Sequence, residues 1–383
     1  MTRRSGPSVT AMRQTPAVGR GSFTILLGLI LCTPLASARA EAPSVRILDL
    51  PFKVRALRGP RSEAAISVAT SGLLPIAGAK SGPSAGDEES APIAVVWGDD
   101  GGAVLSVADG AVTVHPVGRD AVEGLTAAET PRGALPGSRR VLAGALSAYL
   151  TGRTRAADGG DAAAVLTIRE RQPMAVSTDP KPVPVATVTV PAGGDAVFAP
   201  LRPRLLRLAG RPALLAATLA GADTGGLVLI GRPDGQPAWS VTARTPPQPG
   251  PPLKIAGIAD FSASGGVQAA TVSARGLLQL WTLSRDTIEP AGEAPGYAAG
   301  EGDADLAVAI PAAGPPELVL PVAGRAEIAL LQAKGSLHER LRIPLPAPAT
   351  TGIVALGEGA TARLLVGLAD GRVAVIAPDG GKP

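Results

Sequence analysis

Residues 256–283 read AGIADFSASGGVQAATVSARGLLQLWTL, and the fold turns on how this stretch is divided. An apolar strand ends in a small polar loop at 260–266, a second strand covers 267–272, Ala274-Arg275-Gly276 turns the chain, and a third strand runs out through Trp281. Short apolar strands joined by glycine-bearing turns read as one blade of a β-propeller. The layout recurs, with strands expected at 214–219, 227–231 and 238–241, at 267–272, 277–283 and 287–290, and at 317–322, 327–332 and 338–343. The segments 363–367 and 372–376 open a last unit. The turn glycines Gly226, Gly276, Gly324 and Gly371 are separated by 50, 48 and 47 residues, which is the mark of a repeat. A small antiparallel sheet with two apolar faces cannot bury both alone, so neighbouring units must stack face to face around an axis.

Residues 94–117 form the clearest three-strand run towards the N-terminus, with turns at 98–102 and at Asp109-Gly110, a strong hairpin signal. Strands are also expected at 64–68, 73–77, 163–169 and 183–190. A short helix is expected within 138–156, where Leu142, Leu146, Tyr149 and Leu150 have helical spacing. The polar run at 80–90 reads as a mobile loop, and its Asp87-Glu88-Glu89 cluster as solvated acid. The strand at 45–50 stands apart and is expected to complete the last blade, closing the ring and removing its open edges.

Bulk properties agree with a folded all-β chain. Its 48 Gly and 38 Pro among 383 residues indicate many turns, while 45% hydrophobic content is too high for a disordered chain. With only 2% aromatic residues, the core is filled by aliphatic side chains, and an aromatic platform for stacking bases is not expected. Arg3, Arg4, Arg13 and Arg20 precede an apolar run at 23–31, and Ala38-Arg39-Ala40 supplies small residues for cleavage. Residues 1–40 therefore read as a cleaved signal peptide and 41–383 as the propeller, placing the protein in the periplasm or outside the cell. The apolar run is shorter than the roughly 20 residues of a spanning helix, so stable membrane insertion is not expected after cleavage. Cleavage removes five arginines and no acid, leaving 31 basic against 32 acidic side chains, which takes away the charge basis for a nucleic-acid role. Cys32, the single cysteine, leaves with the leader. Dividing the remaining 343 residues by a period of about 49 gives about seven blades, with six to eight compatible.

The joint Gly257-Ile258-Ala259-Asp260-Phe261, with Gln279-Leu280-Trp281, Glu317-Leu318-Val319-Leu320-Pro321 and the run 364–371, resembles the FG-GAP or VCBS repeat family of secreted Gram-negative β-propellers. The likeness is good over 198–376 and weak before that. The family loop reads D-x-D-G-D-G, whose alternate carboxylates suit Ca²⁺. Here the matching positions are Asp260, Ser262 and Ser264, followed by Gly265, so two charges are missing. Asp260 is expected to close a turn through backbone N–H groups, and no cofactor is expected, Ca²⁺ included.

His115 and His338 have no second metal ligand at binding spacing and read as solvent-facing strand residues. No G-x-S-x-G or G-x-x-x-x-G-K-S/T motif occurs, which removes the common hydrolase and NTPase signatures. Asp99-Asp100 and Asp303-Ala-Asp305 are carboxylate pairs at blade turns, with weak claims to acid–base chemistry. Trp97, Trp239 and Trp281 are expected to pack between blades. Arg139-Arg140 with Arg153 and Arg155 is the one basic cluster after the leader, expected as a solvated loop.

The expectation is a monomeric, non-enzymatic scaffold that binds a protein or glycan of the cell envelope. The alternatives are a propeller enzyme of quinoprotein or glycan-lyase type and a calcium-dependent, adhesin-like module.

Overall fold

The middle strands of this protein are apolar on both faces, so each sheet must lie between two others. In the computed structural model, which describes residues 42–70, 93–173, 182–302, 304–312, 314–357 and 361–379, six four-stranded antiparallel meanders satisfy this requirement in turn. All described residues belong to one compact unit, Ala40–Pro383.

The chain begins with β1 (Ser44–Leu48) and enters unit 1 through β2 (Ala56–Arg58), helix α1 (Glu63–Thr70), β3 (Ile93–Gly98), β4 (Gly101–Ala108) and β5 (Ala111–Val117). Helix α2 (Arg119–Glu129) leads to unit 2: β6 (Val141–Ala143), β7 (Leu146–Arg155), β8 (Asp161–Arg171) and β9 (Val185–Pro191). A short β10 (Ala196–Phe198) bridges β8 to the next unit. Unit 3 comprises β11 (Arg204–Leu208), β12 (Arg211–Ala220), β13 (Thr224–Gly231) and β14 (Ser240–Arg244), with β15 (Gln248–Pro249) on the edge of β13. Unit 4 is β16 (Lys254–Ala259), β17 (Val267–Val272), β18 (Leu277–Leu283) and β19 (Ile288–Pro295). Unit 5 is β20 (Val308–Ile310), β21 (Glu317–Pro321), β22 (Glu327–Lys334) and β23 (Ser336–Pro344). Unit 6 has β24 (Ala349–Leu356), β25 (Arg363–Leu368) and β26 (Val373–Ala377).

The fourth strand of unit 6 is β1, paired antiparallel with β26 from Ser44↔Ala377 to Leu48↔Val373. The first strands face one another: β24 touches both β2 and β20, β20 touches β16, and β11 touches β6. Unit 6 thus returns to unit 1 and the fold is a β-propeller. Six units lie at the lower end of the expected six to eight. Within the described residues, 59–70 and 118–140 carry α1, α2 and connections and add no further sheet, so six units are seen where division by the period gave about seven; residues 71–92 lie outside the described residues.

Five of the six seams between units are filled by aliphatic clusters. Leu215 and Leu229 of unit 3 meet Ala269 and Trp281 of unit 4, for example, and each such large side chain contributes about 1.5–3 kcal/mol by leaving water. The seam between units 1 and 2 differs. There α1 and α2 pack on each other and on β3 and β4, with Ala64, Ala65 and Val68 against Ile93, Val95 and Val104, and ion pairs add to this cluster: Glu63 of α1 with Arg140, and Glu129 of α2 with Arg58 and Arg139.

Three local expectations are corrected, the first being Gly226, which lies within β13 opposite Thr218 and not in a turn. Residues 64–68 are helical because Ser62 caps the helix, its Oγ accepting from Ala65 N at 3.2 Å, and because Ala64, Ala65 and Val68 then share one fully buried face. Residues 138–156 form β6 and β7 in place of a helix: Gly144 turns at φ 56° and lets Leu146–Leu150 run as a buried strand paired with β8. The Asp109-Gly110 hairpin has both φ values positive, 50° and 75°, as its turn type requires. The expected strand at 73–77 and the loop at 80–90 lie outside the described residues.

Candidate axial site

Charged residues stand at or just before the first strands of several units. Arg204 and Lys254 begin β11 and β16, Arg139 lies two residues before β6, Asp305 three before β20, and Arg58 ends β2. Because these strands face one another, their charges converge. Arg202 and Arg204 flank Pro203, whose fixed φ favours an extended backbone, and two residues apart on such a backbone they share a side.

At the centre is Asp305, whose side chain is 26% exposed. Its Oδ1 accepts from Arg204 Nη2 at 2.5 Å, and its Oδ2 accepts from Arg139 Nη2 at 2.8 Å and Arg202 Nη1 at 3.3 Å. Behind it, Arg58 Nε donates to both oxygens of the buried Glu129, at 3.2 and 3.1 Å, and Arg139 Nη1 lies 4.0 Å from Glu129. Arg58 also sits over the Trp97 ring, 5.1 Å from its centroid. Among the described residues, Arg139 thus joins the Asp305 and Glu129 groups into one network.

Burial and neighbouring charge oppose each other in this network. Burial alone would raise the Asp305 carboxyl, but Arg204, Arg139 and Arg202 outweigh it and hold it well below the ordinary carboxylate range. Burial, reinforced by Arg204 and Arg139, pushes Arg202 down to about 9, against the opposing pull of Asp305 and Glu129. The Arg202 Nε is buried and has no hydrogen-bond partner among the described residues.

A cleft of ≈ 50 Å³ opens beside the network, lined in part by Arg202, Arg204, Lys254, Ile255 and Asp305. Lys254 Nζ donates to the carbonyls of Gly300 and Gly302, tying one wall to β16. Arg204 Nη2 also donates to Ile255 O at 3.2 Å, joining units 3 and 4 at the cleft floor. The cleft admits a group the size of a carboxylate or a few waters, with the rest of any ligand outside.

The residues singled out in the sequence are dispersed. Asp260 closes the exposed β16–β17 turn: its Oδ1 accepts from Ser264 N at 3.0 Å and its Oδ2 from Gly265 N at 2.7 Å, while Ser262 Oγ donates to Ser264 Oγ at 3.0 Å. His115 and His338 are exposed on β5 and β23. Asp99 pairs with Arg55 at 2.6 Å on the surface, and Asp303 lies outside the described residues. Trp281 is buried between units 3 and 4, its Nε1 donating to Thr271 Oγ1 at 2.9 Å, and Trp239 is buried beneath Arg232. The arginine cluster is not one solvated loop. Arg153 and Arg155 are exposed and share Asp161, whereas Arg139, 5% exposed, and Arg140 turn inward because Glu129, Asp305 and Glu63 await them there.

Sequence reasoning considered Asp305 only as half of an acid pair and missed Arg202, Arg204 and Lys254. A signal was present. Arg204, Lys254 and Asp305 follow one another at 50 and 51 residues, the blade period itself, each in front of or opening an apolar strand.

No family model matches this chain, and no curated protein matches it. Among solved structures, it is similar to the Trypanosoma rangeli sialidase in complex with sialic acid at 12% identity and TM-score 0.43, over 88% of this chain and 59% of that one. It is also similar to AofleA from Arthrobotrys oligospora, at 11% identity and TM-score 0.38 over 86% of this chain and 87% of that one. A putative 6-phosphogluconolactonase from Bacteroides fragilis is similar at 12% identity and TM-score 0.36, over 74% of this chain and 76% of that one. The chain thus spans about three-fifths of the length of the sialidase.

Proposed function

We propose that this protein is an exported, non-enzymatic β-propeller of the FG-GAP or VCBS type that binds an acidic group of a cell-envelope glycan or protein at its axial cleft. The observation that carries this reading is the convergence of Arg139, Arg202 and Arg204 on Asp305 beside a cleft that Lys254 also lines. Guanidiniums held by neighbouring strands lose little freedom when an anion arrives, which favours recognition by a rigid scaffold. Binding suits the site better than acid–base catalysis, because a carboxylate held ionised by three arginines is a poor proton donor and a weak base near neutrality.

Co-sedimentation of the purified propeller with isolated envelope fractions, at low salt and at 0.5 M NaCl, tests the reading. Retention at low salt that is lost in Arg202→Ala and Arg204→Ala is expected. Retention unchanged in both variants would move the binding surface away from the axis.

A further inference from the structure

Asp305 sits where a ligand carboxylate would sit. Arg204 donates to one of its oxygens and Arg139 and Arg202 to the other, charge-assisted bonds that a ligand carboxylate could equally accept. The acid is 26% exposed and borders the ≈ 50 Å³ cleft, so an incoming group can reach the cradle from that side. Arg202 Nε, buried and unbonded among the described residues, is a donor that Asp305 does not use. Exchange of Asp305 for an incoming carboxylate leaves the charge among the arginines unchanged, so the electrostatic cost of desolvating them is not incurred again.

We propose that Asp305 is an internal stand-in for a ligand carboxylate, and that the cradle of Arg139, Arg202 and Arg204 takes the carboxylate of an acidic ligand in its place. The inference rests on the axial cleft being the binding surface, and it narrows the ligand from any anion to a carboxylate. It has an unusual consequence: removing an acidic residue of the site tightens binding. Asp305, tethered next to the cradle, competes at a high effective concentration, on the order of millimolar or more, which weakens carboxylate binding to the wild type.

The test uses the full propeller and small probes, with no envelope partner. Asp305→Ala and the more conservative Asp305→Asn are followed by thermal unfolding in acetate, chloride, sulfate and phosphate at matched ionic strength. Acetate is expected to restore Asp305→Ala saturably, raising its Tm by on the order of 5 °C when in large excess over its Kd, while the other anions do not. Calorimetric titration with glucuronate and with N-acetylaspartate amide distinguishes a sugar acid from a peptide-like acid. At least one is expected to bind Asp305→Ala roughly tenfold or more tighter than the wild type, and Asp305→Asn by a smaller factor. Equal rescue by sulfate or phosphate overturns the assignment to carboxylates, and so does unaltered affinity for both acids in both variants. Rescue by acetate without retention of the wild type on envelope fractions keeps the cradle and removes only the envelope role.

Discussion

Asp305 and Asp234 are both aspartates gripped by arginines from other strands, yet they do different work. Asp234, 72% exposed, takes Arg285 at 2.6 and 2.7 Å and Arg211 at 3.0 Å, with bonds as short as those at the axis. Water competes for every one of them, so good geometry there contributes little. Asp305 has similar distances but arginines that are 5%, 13% and 23% exposed, so water competes far less for its bonds. Bond length does not distinguish a surface tether from a largely buried ion-pair network; access of water does.

The largest expected effect is at the axis. Asp305→Ala leaves three largely buried guanidiniums without their shared acid and should cost about 3–5 kcal/mol in urea unfolding. A loss as small as that of a surface pair would erase the distinction from Asp234. Glu129→Ala should follow, at about 3 kcal/mol, since it removes the buried acid that Arg58 and Arg139 share in the seam between units 1 and 2. Seam 1–2 should then open first, read as faster amide exchange in α2 and β6 than in β17.

Acid should separate the two sites next. The unfolded Asp305 carboxyl titrates near 3.9, and in the folded protein it is held well below that value. Between those limits the unfolded chain binds a proton that the folded chain does not, so this stabilisation is present above about pH 4 and is lost as pH falls through the folded value. Stability should therefore fall less steeply with acid in Asp305→Asn than in the wild type. At the small end, Asp234→Ala should leave the unfolding midpoint unchanged. High salt should likewise leave the wild-type contribution of Asp234 negligible, since screening at 1 M acts within about 3 Å.

The repeat was legible because burial of both faces forces apolar strands at a near-constant period, and because turns demand glycine where φ is positive, as at Gly276 and Gly324. Ring closure by residues 45–48 was legible for the same reason: a lone apolar strand needs an edge. The helix at Glu63–Thr70 was missed because eight residues carry too few turns for periodicity, and Ser62 declares itself only as a cap. The axial site was missed because arginines look solvated one at a time. Arg139 is separated from Asp305 by 166 residues and meets it only when the ring has formed.

Titration of the wild type, Arg202→Ala and Asp305→Ala with glucuronate and with N-acetylaspartate amide by calorimetry bears most directly on the axial cradle, read from whichever acid binds. Weak binding by the wild type, none by Arg202→Ala and tighter binding by Asp305→Ala is the expected order. Equal affinity in all three would place recognition elsewhere and leave Asp305 a structural ion pair.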